Sequence, residues 1–175
     1  MHFKLVAIVP TALLYATTVV QAIDLRVFAS SGCAGTALVC GNLAARQCCT
    51  TNTNPWASQM LSAGGNVGTT AFVLPGCTGG TNAVTGTTCL SPSFAVFSGF
   101  FFPLSGRREL LSGRAEDLAA AGNSTGECVE PDSYGYLDSA GKFHQAKIPD
   151  GKRAEVYAAF EKNDVEYFKA AYGGS

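Results

Sequence analysis

Seven cysteines, two histidines and thirteen carboxylates are the residues of this 175-residue chain able to catalyse, ligate or cross-link. The cysteines are Cys33, Cys40, Cys48, Cys49, Cys77, Cys89 and Cys128, and no two stand in a Cys-x-x-Cys pair. One histidine, His2, is at the extreme N-terminus, which leaves His144 for the body of the chain. A zinc site of the usual thiolate and imidazole ligands is therefore not expected, nor any other metal or cofactor. Nucleophilic catalysis would have to run through His144, and no Gly-x-Ser-x-Gly elbow precedes it. Glycoside hydrolysis needs two carboxylates across a cleft. The cysteine-rich stretch offers only Asp24, so such a pair would come from the tail; for an enzyme of any kind the residues to test are His144, Asp132 and Glu130. No glycine-rich phosphate cradle opens a helix. The expectation is a protein without catalytic residues.

The cysteines read differently once the N-terminus is considered. His2 and Lys4 precede an apolar run from Leu5 to Val20, broken by Pro10 and followed by Val20-Gln21-Ala22, a small-x-small cleavage pattern. The run is too short to span a bilayer and no stop-transfer cluster follows, so residues 1–22 are predicted to be a signal peptide and the product to be secreted and extracellular. No transmembrane segment is expected in the mature chain. An oxidising route favours disulfides, with Cys33, Cys40, Cys48, Cys49, Cys77 and Cys89 as candidates. Adjacent Cys48 and Cys49 point to opposite faces of an extended chain and should reach different partners, but connectivity stays open. Cys128 stands apart and is the candidate for the unpaired thiol.

Charge divides the chain. Between Ile23 and Gly106 the charged residues are Asp24, Arg26 and Arg46, whereas 107–175 holds 9 basic and 12 acidic residues. The formal net charge of −1 argues against a nucleic-acid partner. Residues 23–106 are expected to form a cysteine-rich β domain and 107–175 a charged α+β extension.

Turn signals at the spacing of an all-β sandwich or barrel punctuate the first region. Ile23–Phe28 alternates and predicts a strand with Ile23, Leu25 and Val27 inward. Thr36–Cys40, Gln47–Thr50, Gly68–Leu74 and the very apolar Phe94–Phe102 are further strands, while Trp56–Leu61 fits either a strand or a helical turn. The stretch Val27-Phe28-Ala29-Ser30-Ser31-Gly32-Cys33-Ala34-Gly35 is echoed by Ala71-Phe72-Val73-Leu74-Pro75-Gly76-Cys77-Thr78-Gly79. Two copies of one unit would suit a two-motif sandwich, and chance would serve equally well in a chain so rich in Gly and Cys.

Gly32-Cys33-Ala34-Gly35, Leu38-Val39-Cys40-Gly41-Asn42-Leu43 and Gln47-Cys48-Cys49 resemble small secreted fungal proteins related to the βγ-crystallin-like killer toxins. The resemblance covers about half the chain, roughly Ile23 to Phe102. It implies a Greek-key βγ-crystallin-like sandwich braced by disulfides, in a family of toxins, inhibitors, antifungal proteins and uncharacterised secreted proteins. The calcium motif of many βγ-crystallins is not carried over, because the one adjacent Asn/Asp pair, Asn163-Asp164, is followed by Val165-Glu166. The spacing Cys40-x7-Cys48-Cys49-x27-Cys77-x11-Cys89 imitates half a hydrophobin pattern, but only Cys128 follows.

In the second region a helix is predicted over 107–122, beginning at a dibasic Arg107-Arg108, with a glycosylation sequon at Asn123-Ser124-Thr125. Tyr134 to His144 reads as a hairpin around Asp138-Ser139-Ala140-Gly141, and 150–172 as a helical hairpin broken at Asn163 with Asp164 as cap. The expected function is that of an effector, toxin or extracellular binding protein. The alternative is a structural cell-wall or surface protein. An extracellular protein, a wall polymer or a membrane surface is the expected partner.

Overall fold

The computed structural model describes residues 23–63, 66–86, 88–104 and 127–172. The signal peptide expected over 1–22, the helix expected over 107–122 with Arg107-Arg108, and the Asn123 sequon lie outside them.

The chain is mainly β. Nine strands run in order: β1 (Ile23–Phe28), β2 (Thr36–Leu43), β3 (Cys49–Thr50), β4 (Ser58–Leu61), β5 (Val67–Leu74), β6 (Thr78–Thr85), β7 (Ser98–Pro103), β8 (Ser133–Leu137) and β9 (Phe143–Lys147). Helices α1 (Arg153–Glu161) and α2 (Val165–Tyr172) follow. One antiparallel sheet has the order β4-β1-β2-β8-β9 and the other β3-β7-β5-β6.

Alternation in β1 turns Leu25 and Val27 into the core between the sheets, where they meet Leu38, Trp56, Leu61, Ala71, Val96 and Phe101. The apolar run at Phe94–Phe102 yields a shorter strand, because Val96 pairs with Trp56 before β7 begins. Within β7 both faces are buried: Phe101 joins the central core, while Phe100 and Phe102 pack with Phe72, Cys48 and Cys77 on the other side. The ambiguous stretch after Trp56 resolves as strand β4, held by the register Leu25↔Leu61 to Phe28↔Ser58. Strand β6 has no sequence signal, since Thr78-Gly79-Gly80-Thr81-Asn82 is exposed and polar; its pairing with β5 makes it a strand.

The sequence echo is a structural duplication. Gly32, Cys33 and Gly35 turn β1 into β2 with φ of 77°, 54° and 78°, and Gly76, Cys77 and Gly79 turn β5 into β6 with φ of 74°, 55° and 86°. A serine seats each corner. The Cys33 N–H donates to Ser58 Oγ at 2.9 Å and that hydroxyl donates to Ser30 O at 2.6 Å. The Cys77 N–H donates to Ser98 Oγ at 2.8 Å and that hydroxyl donates to Leu74 O at 2.5 Å. Just before each serine, Ala57 N–H donates to Phe28 O and Phe97 N–H to Phe72 O. The halves also exchange segments: β3 of the first pairs with β7 of the second, and Leu90 of the second pairs with Gln59 in β4.

The C-terminal part departs from this symmetry. Although charge density changes at 107, β8 continues the first sheet by pairing with β2 from Thr36↔Tyr136 to Val39↔Ser133. Helices α1 and α2 bury Val156, Ala159, Phe160 and Phe168 in the same core as β1 and β2. Phe168 lies 5.0 Å from Tyr134 between ring centroids. Burying each phenylalanine contributes about 2–3 kcal/mol, enough to dock a helical hairpin too short to be stable alone. Asp164 caps α2 by accepting the Tyr167 N–H at 3.0 Å.

Candidate functional site

Six of the seven cysteines are joined: Cys33 to Cys89, Cys40 to Cys49 and Cys48 to Cys77. Cys48 and Cys49 do reach different partners. The first and third bridges are equivalent under the duplication, each tying the corner of one half to the segment crossing over from the other. The remaining thiol, Cys128, is half-buried against the cluster of Cys48, Cys77, Phe100 and Phe102. Burial raises its pKa and Glu127 adds to the rise, so the thiolate is disfavoured.

The carboxylate candidates are occupied by positioning contacts. Asp132 Oδ1 accepts the Gly41 N–H at 3.2 Å and the Ser133 hydroxyl at 3.1 Å, and Oδ2 pairs with Lys147. Burial alone would raise its pKa, but the Lys147, Gly41 and Ser133 donors outweigh burial and lower it. Glu130 accepts Asn52 Nδ2 at 3.1 Å and pairs with Arg153 at 2.8 Å, and the same guanidinium donates to Pro131 O at 3.1 Å. These contacts tie the segment entering β8 to β2, to the 51–54 loop and to α1.

His144 sits elsewhere. Its ring stacks on Tyr136 at 5.0 Å and Nε2 lies 2.8 Å from Asp138 Oδ2. Asp138 Oδ1 meanwhile accepts the N–H groups of Ala140 and Lys142, closing the β8–β9 turn. The histidine bond, those N–H groups and the histidine charge hold the Asp138 pKa down. Asp132 and His144 thus occupy opposite ends of one hairpin, in register with Ser133↔Lys147 and Tyr136↔His144. Among the described residues no three His, Cys, Asp or Glu side chains converge as a metal site.

Two features carry no signal in the amino-acid sequence. Gln59 is fully buried and bridges the sheets: Oε1 accepts Trp56 Nε1 at 3.1 Å, while Nε2 donates to Thr69 Oγ1 at 2.7 Å and Thr70 O at 3.0 Å. Gly99 leaves room for it, since a Cβ there would meet the Gln59 amide at 2.7 Å. The second is an open cleft of about 490 Å³ between the 51–54 loop and α1, lined by Asn54, Arg153, Tyr157 and Glu161 with Ala154 and Ala158 between them. Asn54 donates to Glu161 across it. Thr53 lines it as well, and its mixed donors, acceptors and methyl groups suit polar contact.

Residues 24–132 match the model of the ARB_05566_N family, described as an N-terminal domain. The chain belongs to the ARB_05566_N family. The matched span takes in all six bridged cysteines, Cys128 and both carboxylates Glu130 and Asp132, and ends one residue before β8. The β8–β9 hairpin and both helices therefore follow the ARB_05566_N match. No curated protein and no solved structure matches the chain. Among the described residues no helix is long and apolar enough to cross a membrane.

Proposed function

We propose that this member of the ARB_05566_N family is a secreted, non-enzymatic protein acting outside the cell as an effector, toxin or binding protein. Its sandwich is read as two Greek-key motifs of the βγ-crystallin-like kind. The observation that carries the fold reading is the reciprocal pair of bridges, Cys33–Cys89 and Cys48–Cys77, at two corners of matching backbone conformation. Three bridges suit an oxidising compartment. Binding without catalysis is supported by the use of Glu130, Asp132 and Asp138 as ties between segments, which leaves the charged extension to present recognition surface.

The experiment applies purified soluble protein to candidate target cells and, in parallel, fractionates the producing culture. A cell response at low protein concentration supports the effector or toxin reading. Retention in the wall through high-salt extraction, with no cell response, overturns it in favour of the structural wall or surface protein. That second reading draws on the uncharged, Thr- and Gly-rich exposed strand β6.

A further inference from the structure

The duplication makes the sheet edges comparable, and they are treated unequally. The outer edge of β2 is paired with β8 over Thr36–Val39. The equivalent stretch of β6, Gly80–Ala83, has β5 on one side and, among the described residues, no strand on the other. The remaining edges are managed. Leu90 bridges to β4, Val129 bridges in parallel to Cys49 of β3, and β9 carries Lys147. Among the described residues β6 has none of these devices. Its eight residues, Thr-Gly-Gly-Thr-Asn-Ala-Val-Thr, contain no charge and no proline, and its first five are exposed. At its start stands Leu74, opposite Thr78, the only large apolar side chain with high exposure among the described residues, at 52%. An uncharged edge of this length is a template for another strand.

We propose that β6 is a dimerisation edge that pairs antiparallel with β6 of a second copy of this chain. Within the molecule, antiparallel addition of β8 is what the equivalent edge of β2 accepts. The occupant is argued from charge: β6 carries none, so two copies meet without repulsion, and nothing on it selects a charged partner. Antiparallel pairing of a strand with itself is isologous, so the contact closes at two copies with no free β6 edge remaining. An eight-residue contact is small, and the dimer is correspondingly weak and concentration-dependent.

Sedimentation velocity of the purified protein over a dilution series, with hydrogen exchange read at the same concentrations, tests this. Self-association is expected, with slower exchange at Gly80–Ala83 as concentration rises. Thr81→Lys with Asn82→Lys places a like charge on each face of the exposed strand, and weakens association at least about tenfold while the buried Trp56 emission is retained. A Cys128→Ser protein associates like the wild type, which separates strand pairing from an intermolecular disulfide. A wild-type protein monomeric at about 1 mM overturns the proposal. So does a dimer that survives both lysines, or one whose β6 amides exchange no more slowly than in the monomer.

Discussion

The side-chain oxygen of Asn163 accepts the backbone N–H of Thr36 at 2.8 Å, joining the turn between α1 and α2 to the first residue of β2. The Thr36 hydroxyl reaches the same oxygen at 3.1 Å. Gly35 is the complement to this contact: its φ of 78° favours glycine, and a Cβ there would clash with the Asn163 amide. Asn163 itself has φ of 51°, a conformation asparagine tolerates better than most residues.

Asn163→Ala is expected to destabilise the fold by about 1–3 kcal/mol, because Thr36 is fully buried and its N–H loses its acceptor. Asn163→Asp keeps an acceptor and should recover most of that loss. Denaturant unfolding followed by near-ultraviolet circular dichroism measures both. An alanine variant within about 0.5 kcal/mol of wild type would show the contact to be idle.

The three bridges should differ in value according to the loop each closes. Their separations are 56 residues for Cys33–Cys89, 29 for Cys48–Cys77 and 9 for Cys40–Cys49. Chain entropy predicts losses of about 4, 3.6 and 2.6 kcal/mol on replacing each pair by serine. Non-reducing peptide mapping should recover these pairs, with alkylation confined to Cys128 and faster as pH rises toward its raised pKa. A bridge involving Cys128 in the native protein would refute the assignment.

Gln59→Leu should cost more than an exposed substitution, about 2–4 kcal/mol, because it strands the Trp56 indole N–H and breaks contacts to Thr69 and Thr70 in one step. Trp56 is the single tryptophan, so its fluorescence reports the site directly. Unchanged emission together with unchanged stability would remove the amide from the set of interactions that fix how the sheets face each other.

Acid should weaken the C-terminal hairpin. Asp132 and Asp138 both have depressed folded-state pKa values, so their stabilisation is present above the unfolded value of about 3.9 and is lost as pH falls through the lower folded values. The denaturation midpoint should therefore hold from neutrality to about pH 4 and drop below it. Asp132→Asn should flatten that drop, and a midpoint independent of pH down to 2 would contradict the role given to both aspartates.

Local patterns announced much of this fold. Alternation in Ile23–Phe28 located β1 and its inward side chains, Gly141 marked the β8–β9 turn, and the break at Asn163 separated the helices. Strand β6 escaped because polar, glycine-rich residues become a strand only when β5 supplies hydrogen bonds. The Gln59 bridge escaped too, since a lone glutamine in a short strand does not reveal that Thr69, Thr70 and Gly99 surround it. The repeat of Gly-Cys-x-Gly was visible in sequence, but its meaning lay in Ser58 and Ser98, far along the chain from the corners they seat.

Val39 pairs with Ser133, 94 residues further on, and that spacing governs timing. Synthesis delivers β2 long before β8 exists, so the first sheet waits with an open edge while most of the chain emerges. Closing so long a loop is slow, because its entropy is lost before the strand contacts form. The three bridges join cysteines made earlier, so oxidation can lock the two duplicated halves together before the hairpin and helices arrive. Maturation is thus expected in two stages, a cystine-locked intermediate followed by docking of the last forty residues or so, and the second stage is where a premature stop would leave an exposed, adhesive strand.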